Sequence, residues 1–297
     1  MNRLALGTVQ FGLPYGVANK TGQVSLEETK KILNLATAEG FDILDTGMMY
    51  GQSEKRLGEL GVSQWNIVSK LPPLPKSCPN VTEWLNISVS NSLKSLNVTY
   101  LHGLLLHSPQ ELLGKNGTEL YRSLVKIKQS GLIKNIGISI YIPEELDELL
   151  HRYRIDIVQA PFNIFDQRLI TSNWLTKLKK MDIEVHVRSV FLQGLLLMDA
   201  SERPKYFSKW DGLWSEWHEW LKKNNISPLQ ACLGFALAQP EIDRVIVGMD
   251  SVQQLQEILT VTNVSIPQPP FELIYDHKEL LNPSNWKENL ITRKKHD

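Results

Sequence analysis

Short apolar runs of strand length recur along this chain, each closed by a polar residue or a glycine and each followed by a helix-like stretch. Eight are present: Leu4–Thr8, Phe41–Asp45, Trp65–Lys70, Gly103–His107, Ile136–Ser139, Ile155–Gln159, Ile183–Arg188 and Arg244–Gly248. Runs this rich in Ile, Val and Leu suit parallel strands buried on both faces. The stretches between them carry helix signals. Ser25 is an N-cap before Leu26-Glu27-Glu28, and Leu26, Ile32, Leu33, Leu35 and Ala36 form an apolar stripe that Gly40 ends. Pro143-Glu144-Glu145 and Ser227-Pro228 open two more helices. Eight strand–helix units predict an α/β fold, a (β/α)8 TIM barrel. An open doubly wound sheet is the rival, but no Gly-x-Gly-x-x-Gly fingerprint follows the first run.

Three segments stand outside the alternation. Residues 12–24 make a long first loop rich in Gly, Pro and Asn. Residues 198–225 carry Trp210, Trp214, Trp217 and Trp220, whose three- and four-residue steps predict a helical stripe packed on the barrel. From Pro267 the tail is proline-rich and then charged, ending in a solvated Arg293-Lys294-Lys295-His296-Asp297. No linker interrupts the chain, so 1–297 reads as one domain, a barrel over about 3–262 with a C-terminal extension over about 263–297.

The 32 basic and 32 acidic side chains cancel, which disfavours nucleic acid and membrane surfaces as partners. No apolar run is long enough to cross a bilayer, and residues 1–7 lack a secretory signal, so a cytoplasmic location is expected. Cys78 and Cys232 build no disulfide framework and sit in no metal-ligand spacing, so no metal is expected.

In such a barrel the C-terminal strand ends form the active face. Asp45, Lys70, His107, Ser139, Gln159 and Arg188 should converge there, joined by Tyr50 five residues beyond Asp45. Tyrosine, with a pKa of about 10, is a poor acid near neutrality, and a neighbouring cation lowers that value. Lys70 can supply the cation while Asp45 holds its ammonium, and His107 can orient a carbonyl oxygen. Together they make a proton donor for carbonyl reduction.

Asp45-Thr46-Gly47-Met48-Met49-Tyr50-Gly51-Gln52-Ser53-Glu54 resembles the active-site signature of the aldo-keto reductase superfamily. Val68-Ser69-Lys70 resembles its lysine strand and Leu105-Leu106-His107-Ser108-Pro109 its histidine strand; the similarity runs from Leu6 to about Leu259. The resemblance implies a (β/α)8 barrel that binds NADP(H) or NAD(H) without a Rossmann fold. It places Asp45, Tyr50, Lys70 and His107 on the catalytic tetrad, Tyr50 being the general acid/base. It places Ser139, Gln159 and Asn163 at the nicotinamide carboxamide, and Ser189, Gln193 and Gly194 in the loop under the pyrophosphate. Gly248, Ser251, Gln254 and Glu257 match the segment around the adenosine. The chain departs from the family at Arg188, where an aromatic usually stacks on the nicotinamide, and at His102, usually an acid. It also departs at Asp250, in a segment that often carries Lys or Arg for a 2′-phosphate. NADH is therefore expected to serve at least as well as NADPH.

Other roles remain open for several residues. Asp45 and Lys70 can form a structural ion pair, Gln159 and Asn163 can cap loops, and Arg188 can pair with Asp45 or another acid. His102, His151 and His186 read as surface or structural histidines. The expected function is NAD(P)H-dependent reduction of a small aldehyde or ketone, sugar-like or anionic, or the reverse oxidation of an alcohol. A cofactor-sensing regulatory barrel with little turnover is the alternative. A phosphate-handling lyase or isomerase fits poorly, because no Schiff-base or metal site is present.

Overall fold

The computed structural model describes residues 3–262 and 264–286. Eight parallel strands close on themselves in chain order: β1 (Leu4–Gly7), β2 (Ile43–Asp45), β3 (Asn66–Leu71), β4 (Leu101–Leu106), β5 (Ile133–Ser139), β6 (Ile157–Pro161), β7 (Glu184–Arg188) and β8 (Arg244–Gly248). β8 pairs back to β1, with Leu6 opposite Val247 and Gly7 opposite Gly248. The expected barrel is the observed one. Helices Leu26–Ala38, Val81–Leu96, Gly117–Gln129 and Pro228–Leu237 belong to the shell outside the strands. Ser25 Oγ caps the first of these by accepting from Glu28 N at 3.1 Å, and Ser227 with Gln230 forms a reciprocal capping box on the last.

The strand runs shift at their edges. Phe41 and Trp65 precede β2 and β3 and are buried in the large outer cluster instead. The helix expected to open at Pro143 begins at Glu145, whose carboxylate reaches back to accept from the Tyr141 and Ile142 amides at 2.7 and 3.1 Å. Those amides precede the helix and lack a helical acceptor, so the acid holds the turn that leads into it.

Packing is in two layers. Ala5, Ile43, Val68, Leu105 and Ile246, one from each of five strands, form an inner cluster separate from the outer one. The interior is tight: a Cβ on Gly103 would stand 2.8 Å from Ile157 Cδ1. The barrel is thus a packed core with a mouth, as the fold requires.

The tryptophan stripe packs as expected. Trp214, Trp217 and Trp220 are buried along helix Asp211–Asn224, and Trp210 closes the 3-10 turn before it. Trp214 Nε1 donates to Phe207 O at 3.0 Å and Trp217 Nε1 to Leu196 O at 3.3 Å, so neither indole leaves a polar atom stranded. The C-terminal extension folds back onto this layer. Tyr275 N donates to Phe165 O, and Trp286 stacks edge-on to Phe207 at 4.9 Å. The charged end at residues 293–297 lies outside the described residues.

Candidate active site

β2 and β3 bring Asp45 and Lys70 to the mouth side by side. Lys70 Nζ donates to Asp45 Oδ1 and Oδ2 at 2.7 and 2.6 Å and to Thr46 O at 3.1 Å, with the lysine 1% exposed. Gln159 Nε2, from β6, donates to the same Asp45 Oδ1 at 2.7 Å. Burial works against charge on Lys70, yet Asp45 and Tyr50 outweigh it and hold the ammonium pKa above its ordinary value. The ammonium stands 5.1 Å from the centre of the Tyr50 ring. Tyr50 is fixed by a tight turn, its amide donating to Gly47 O at 2.9 Å. A Cβ on Gly47 would come within 3.3 Å of the phenol ring, so the missing side chain lets the ring fold over its own loop.

His107 follows β4 and faces Tyr50 edge-on, ring centres 6.4 Å apart. Burial, then the charges of Lys70 and Arg188, push its pKa down to about 4. The imidazole is therefore neutral near pH 7 and able to donate or accept a hydrogen bond, but not to act as a strong acid. Behind these groups, Glu54 accepts from Ser69 Oγ at 2.6 Å and Ser92 Oγ at 2.7 Å, tying the helix after Tyr50 to the strand of Lys70 and to helix Val81–Leu96.

A cleft of about 1310 Å³ extends from this centre across the barrel mouth. One wall is the first loop, held by Asn19 Nδ2 on Asp250 Oδ1 at 2.9 Å and by Lys20 Nζ on Glu202 Oε1 at 2.6 Å. The opposite wall is the loop after β7, where Ser189, Leu192 and Gln193 take φ of 61°, 48° and 55°, and Gly194 takes 85°. Non-glycine residues held in the left-handed region mark a constrained segment, and turns of this kind gather backbone amides into anion-binding concavities. Gly194 also lets the walls meet, since a Cβ there would lie 2.5 Å from Ala18 Cβ. Asp250, Gln254 and Glu257 line the far end, and Pro283, Ser284 and Trp286 of the extension close one side.

The residues expected at the site divide into two groups. Asp45, Tyr50, Lys70, His107, Ser139, Arg188, Ser189, Gln193, Gly194, Asp250, Gln254 and Glu257 all line the cleft. Gln159, Asn163, Gly248 and Ser251 stand behind its surface. Gln159 braces Asp45. Asn163 adopts the loop-capping arrangement, Oδ1 accepting from the Phe165 and Asp166 amides at 2.9 Å and Nδ2 donating to Ser189 O at 3.1 Å. Ser251 Oγ caps helix Val252–Thr260 through Gln254 N, and Gly248 leaves room for Gln10, whose Nε2 would be 2.7 Å from an added Cβ. Arg188 does not make the acid pairing considered for it: among the described residues no carboxylate forms an ion pair with it. Its guanidinium lies 4.8 Å from the Tyr141 ring centre and donates to Ile140 O at 3.0 Å and Ser189 Oγ at 3.3 Å. Gln10, Tyr15, Asn19, Lys20, Tyr141 and Glu202 also line the cleft and were not singled out from the sequence. Apart from Gln10, in the one-turn helix Val9–Gly12, they lie in loops without periodicity, where only the polar, glycine-rich composition of residues 12–24 gives a signal.

Of the histidines away from the mouth, His151 is exposed, and His102 and His186 meet Glu184. His186 Nε2 donates to Glu184 Oε1 at 2.8 Å inside the barrel, His102 Nε2 lies 3.6 Å from Glu184 Oε2, and Asn135 Nδ2 donates to His102 O at 2.9 Å. Burial disfavours the Glu184 carboxylate, but hydrogen bonds and charge from His102 and His186 prevail and hold its pKa well below the usual range.

The Aldo/keto reductase family profile matches residues 3–279. The chain belongs to that family. It is 25% identical over 252 residues to the uncharacterized oxidoreductase YqkF of Bacillus subtilis, covering 78% of this chain and 81% of that one. It is 23% identical to an aldo-keto reductase of Gibberella moniliformis, over 95% and 92% of the two chains. Among solved structures, an aldo-keto reductase from Bacillus halodurans in its holo form superposes with a TM-score of 0.71 at 18% identity, over 96% and 94% of the two chains, a likeness of fold. This aldo-keto reductase is an oxidoreductase of the family's general kind, reducing small-molecule carbonyl compounds with NAD(P)H. The cleft fits that cofactor: it exceeds the roughly 300–1,000 Å³ of an ordinary small-ligand pocket, and the side chain of Gln10, one of its lining residues, buries an Oε1 without a partner. No helix among the described residues is long and apolar enough to cross a membrane.

Proposed function

We propose that this aldo-keto reductase reduces its carbonyl substrate with Tyr50 as the proton donor and accepts NADH at least as well as NADPH. The observation that carries the first part is Lys70, buried between Asp45 and Tyr50 beside a neutral His107. When bound, NAD(P)H supplies the hydride. Tyr50 Oη gives its proton to the carbonyl oxygen as charge develops there. Lys70 stabilises the resulting phenolate, and Asp45, braced by Gln159, fixes the ammonium. His107 orients the carbonyl oxygen by a hydrogen bond, and its pKa of about 4 leaves the acid role to tyrosine.

Ser139 lines the inner end of the cleft, its Oγ donating to Gln159 Oε1 at 3.4 Å, which suits it to a carboxamide there, with Gln159 as its support from behind. The Ser189–Gly194 loop suits a pyrophosphate, and the far end suits the adenosine ribose. Glu202, Asp250 and Glu257 all line the cleft, and Lys20, in the same wall as Asp250 through its neighbour Asn19, is already paired with Glu202. That balance favours a free 2′-hydroxyl over a 2′-phosphate.

Tyr50→Phe tests the mechanism. Binding of NADH, followed by its fluorescence, should survive, while reduction of a panel of aldehydes falls by at least about 10²–10⁴-fold. Near-wild-type turnover with an unchanged circular dichroism spectrum would sink it.

A further inference from the structure

The charges of the cleft are unevenly answered. Lys70 is neutralised by Asp45 and Lys20 by Glu202, whereas Arg188 forms no ion pair with a carboxylate among the described residues. The nearby acid that could have answered it, Asp166, is occupied bidentately by Arg168 at 2.7 and 2.6 Å. Two carbonyl or hydroxyl contacts and the Tyr141 face hold the guanidinium in place, which leaves most of its five N–H donors unclaimed. Its charge is felt at His107 on one side and at Tyr15 on the other, so it sits among the groups that surround the reacting carbonyl. A guanidinium that is anchored, partly desolvated and unpaired is organised to take a planar or tetrahedral oxyanion in bidentate fashion.

We infer that Arg188 is a specificity-determining residue that binds an anionic group, carboxylate or phosphate, carried by the carbonyl substrate. The inference rests on the reading of the cleft as the reductase site. It narrows the substrate class to carbonyl compounds with an acidic group a few bonds from the reacting carbon.

Two pairs of probes separate charge from shape: 4-oxobutanoate against 4-oxobutanamide for turnover, and malonate against malonamide for dead-end binding to the enzyme–NADH complex. In the wild type, the anion of each pair should have a KM or Kd at least tenfold lower. Arg188→Leu should erase that preference, raising KM or Kd for the anion of each pair at least tenfold more than for its amide, and Arg188→Lys should retain part of it. Equal responses to both members of each pair in the wild type would overturn the inference, as would a preference that survives in Arg188→Leu. If Arg188→Leu instead weakens NADH binding tenfold and leaves the anion preference intact, the guanidinium serves the nucleotide and the inference fails. The underlying reading fails differently, by an absence of NADH and NADPH binding in the wild type.

Discussion

The two ends of this barrel each bury a cluster of ionisable side chains, and they use them in opposite ways. At the base, His102, Asn135, Glu184 and His186 are closed on one another, with the carboxylate hydrogen-bonded inside the cluster and its pKa held low. At the mouth, Lys70 and Asp45 are more deeply buried than His102 and Glu184, but the chain stops short of closing the group. His107 is kept neutral, Tyr50 faces the cleft and Arg188 forms no ion pair with an acid among the described residues. The base turns its charged groups on one another, leaving only the buried His186 Nδ1 of this group without a partner among the described residues, and the mouth is arranged for something that is not part of the chain. The same strands make both: β7 carries Glu184 and His186 below and Arg188 above, on alternate positions that all share one face. This is the division of labour expected of the fold, stability at the N-terminal end of the strands and chemistry at the C-terminal end.

The comparison breaks most clearly when one residue is changed at each end. Tyr50→Phe should lose activity by orders of magnitude and leave the melting temperature nearly unchanged, because a hydroxyl facing the cleft is removed without opening a cavity. Glu184→Gln should do the reverse. It removes the charge that two histidines share, at a cost of about 1–3 kcal/mol, moderated by the partial exposure of the carboxylate, while activity per folded molecule persists. Thermal melts and kinetics on both variants check this. Loss of activity in Glu184→Gln without loss of stability would erase the division.

Acid titration separates the ends again, with a smaller effect. The folded pKa of His107, about 4, lies below its unfolded value, so the unfolded state takes up the proton first as pH falls. The stability associated with a neutral His107 is present above about pH 6.5 and is lost progressively toward pH 4, roughly 1–2 kcal/mol of it by pH 5. Glu184 is depressed relative to an unfolded carboxyl, so its contribution is intact above the unfolded carboxylate range and is lost only below it. Denaturant melts at pH 7 and 5 should therefore show the gap between wild type and His107→Asn shifting, and the gap for Glu184→Gln holding until stronger acid. A wild type and His107→Asn that lose stability in parallel from pH 7 to 5 would place the His107 titration elsewhere.

Much of this was legible in the chain because it follows from period and punctuation. Eight apolar runs ending in polar residues specify both the barrel and the residues at its rim, so Asp45, Lys70, His107 and Arg188 could be placed by counting. Tyr50 was legible through its motif. The first loop was less so: Asn19, Lys20 and Tyr15 reach the cleft through turns whose geometry depends on contacts with residues 193–202 and 250, far away in sequence. Asn163 shows the same limit from the other direction. Its position allows both a cofactor contact and a loop cap, and the backbone amides of its own loop take its Oδ1, a bond that the sequence does not reveal. The extension was read as a tail, and Leu273, Leu280, Leu281 and Trp286 are buried, since short apolar segments without helical or strand period reveal burial only in three dimensions.

The smallest expected effect lies at the far end of the cleft, where binding depends on a balance of charges. Asp250 is held at the wall by Asn19, and its own amide donates to Gln254 Oε1 at 2.8 Å, so the carboxylate cannot easily swing away. Burial raises its pKa, against the hydrogen bonds from Asn19 and Gln254, which shows it lodged in the wall instead of free in solvent. An anion at 4 Å from a 2′-phosphate would cost about 4 kcal/mol at an effective dielectric of 20, before screening reduces it. A tenth of that is enough to remove a preference for NADPH. Lys20, beside Asn19 in this part of the wall, could compensate, but answering the phosphate would require it to give up Glu202. Fluorescence titrations at fixed salt should thus give NADH a Kd equal to or below that of NADPH. Asp250→Asn should improve NADPH binding severalfold with NADH unchanged or slightly weaker, and the gain should shrink as salt is added, because it is a screened Coulombic effect. NADPH binding tenfold tighter than NADH in the wild type would show that Lys20 leaves Glu202 for the phosphate, and Lys20→Met would then have to remove the preference.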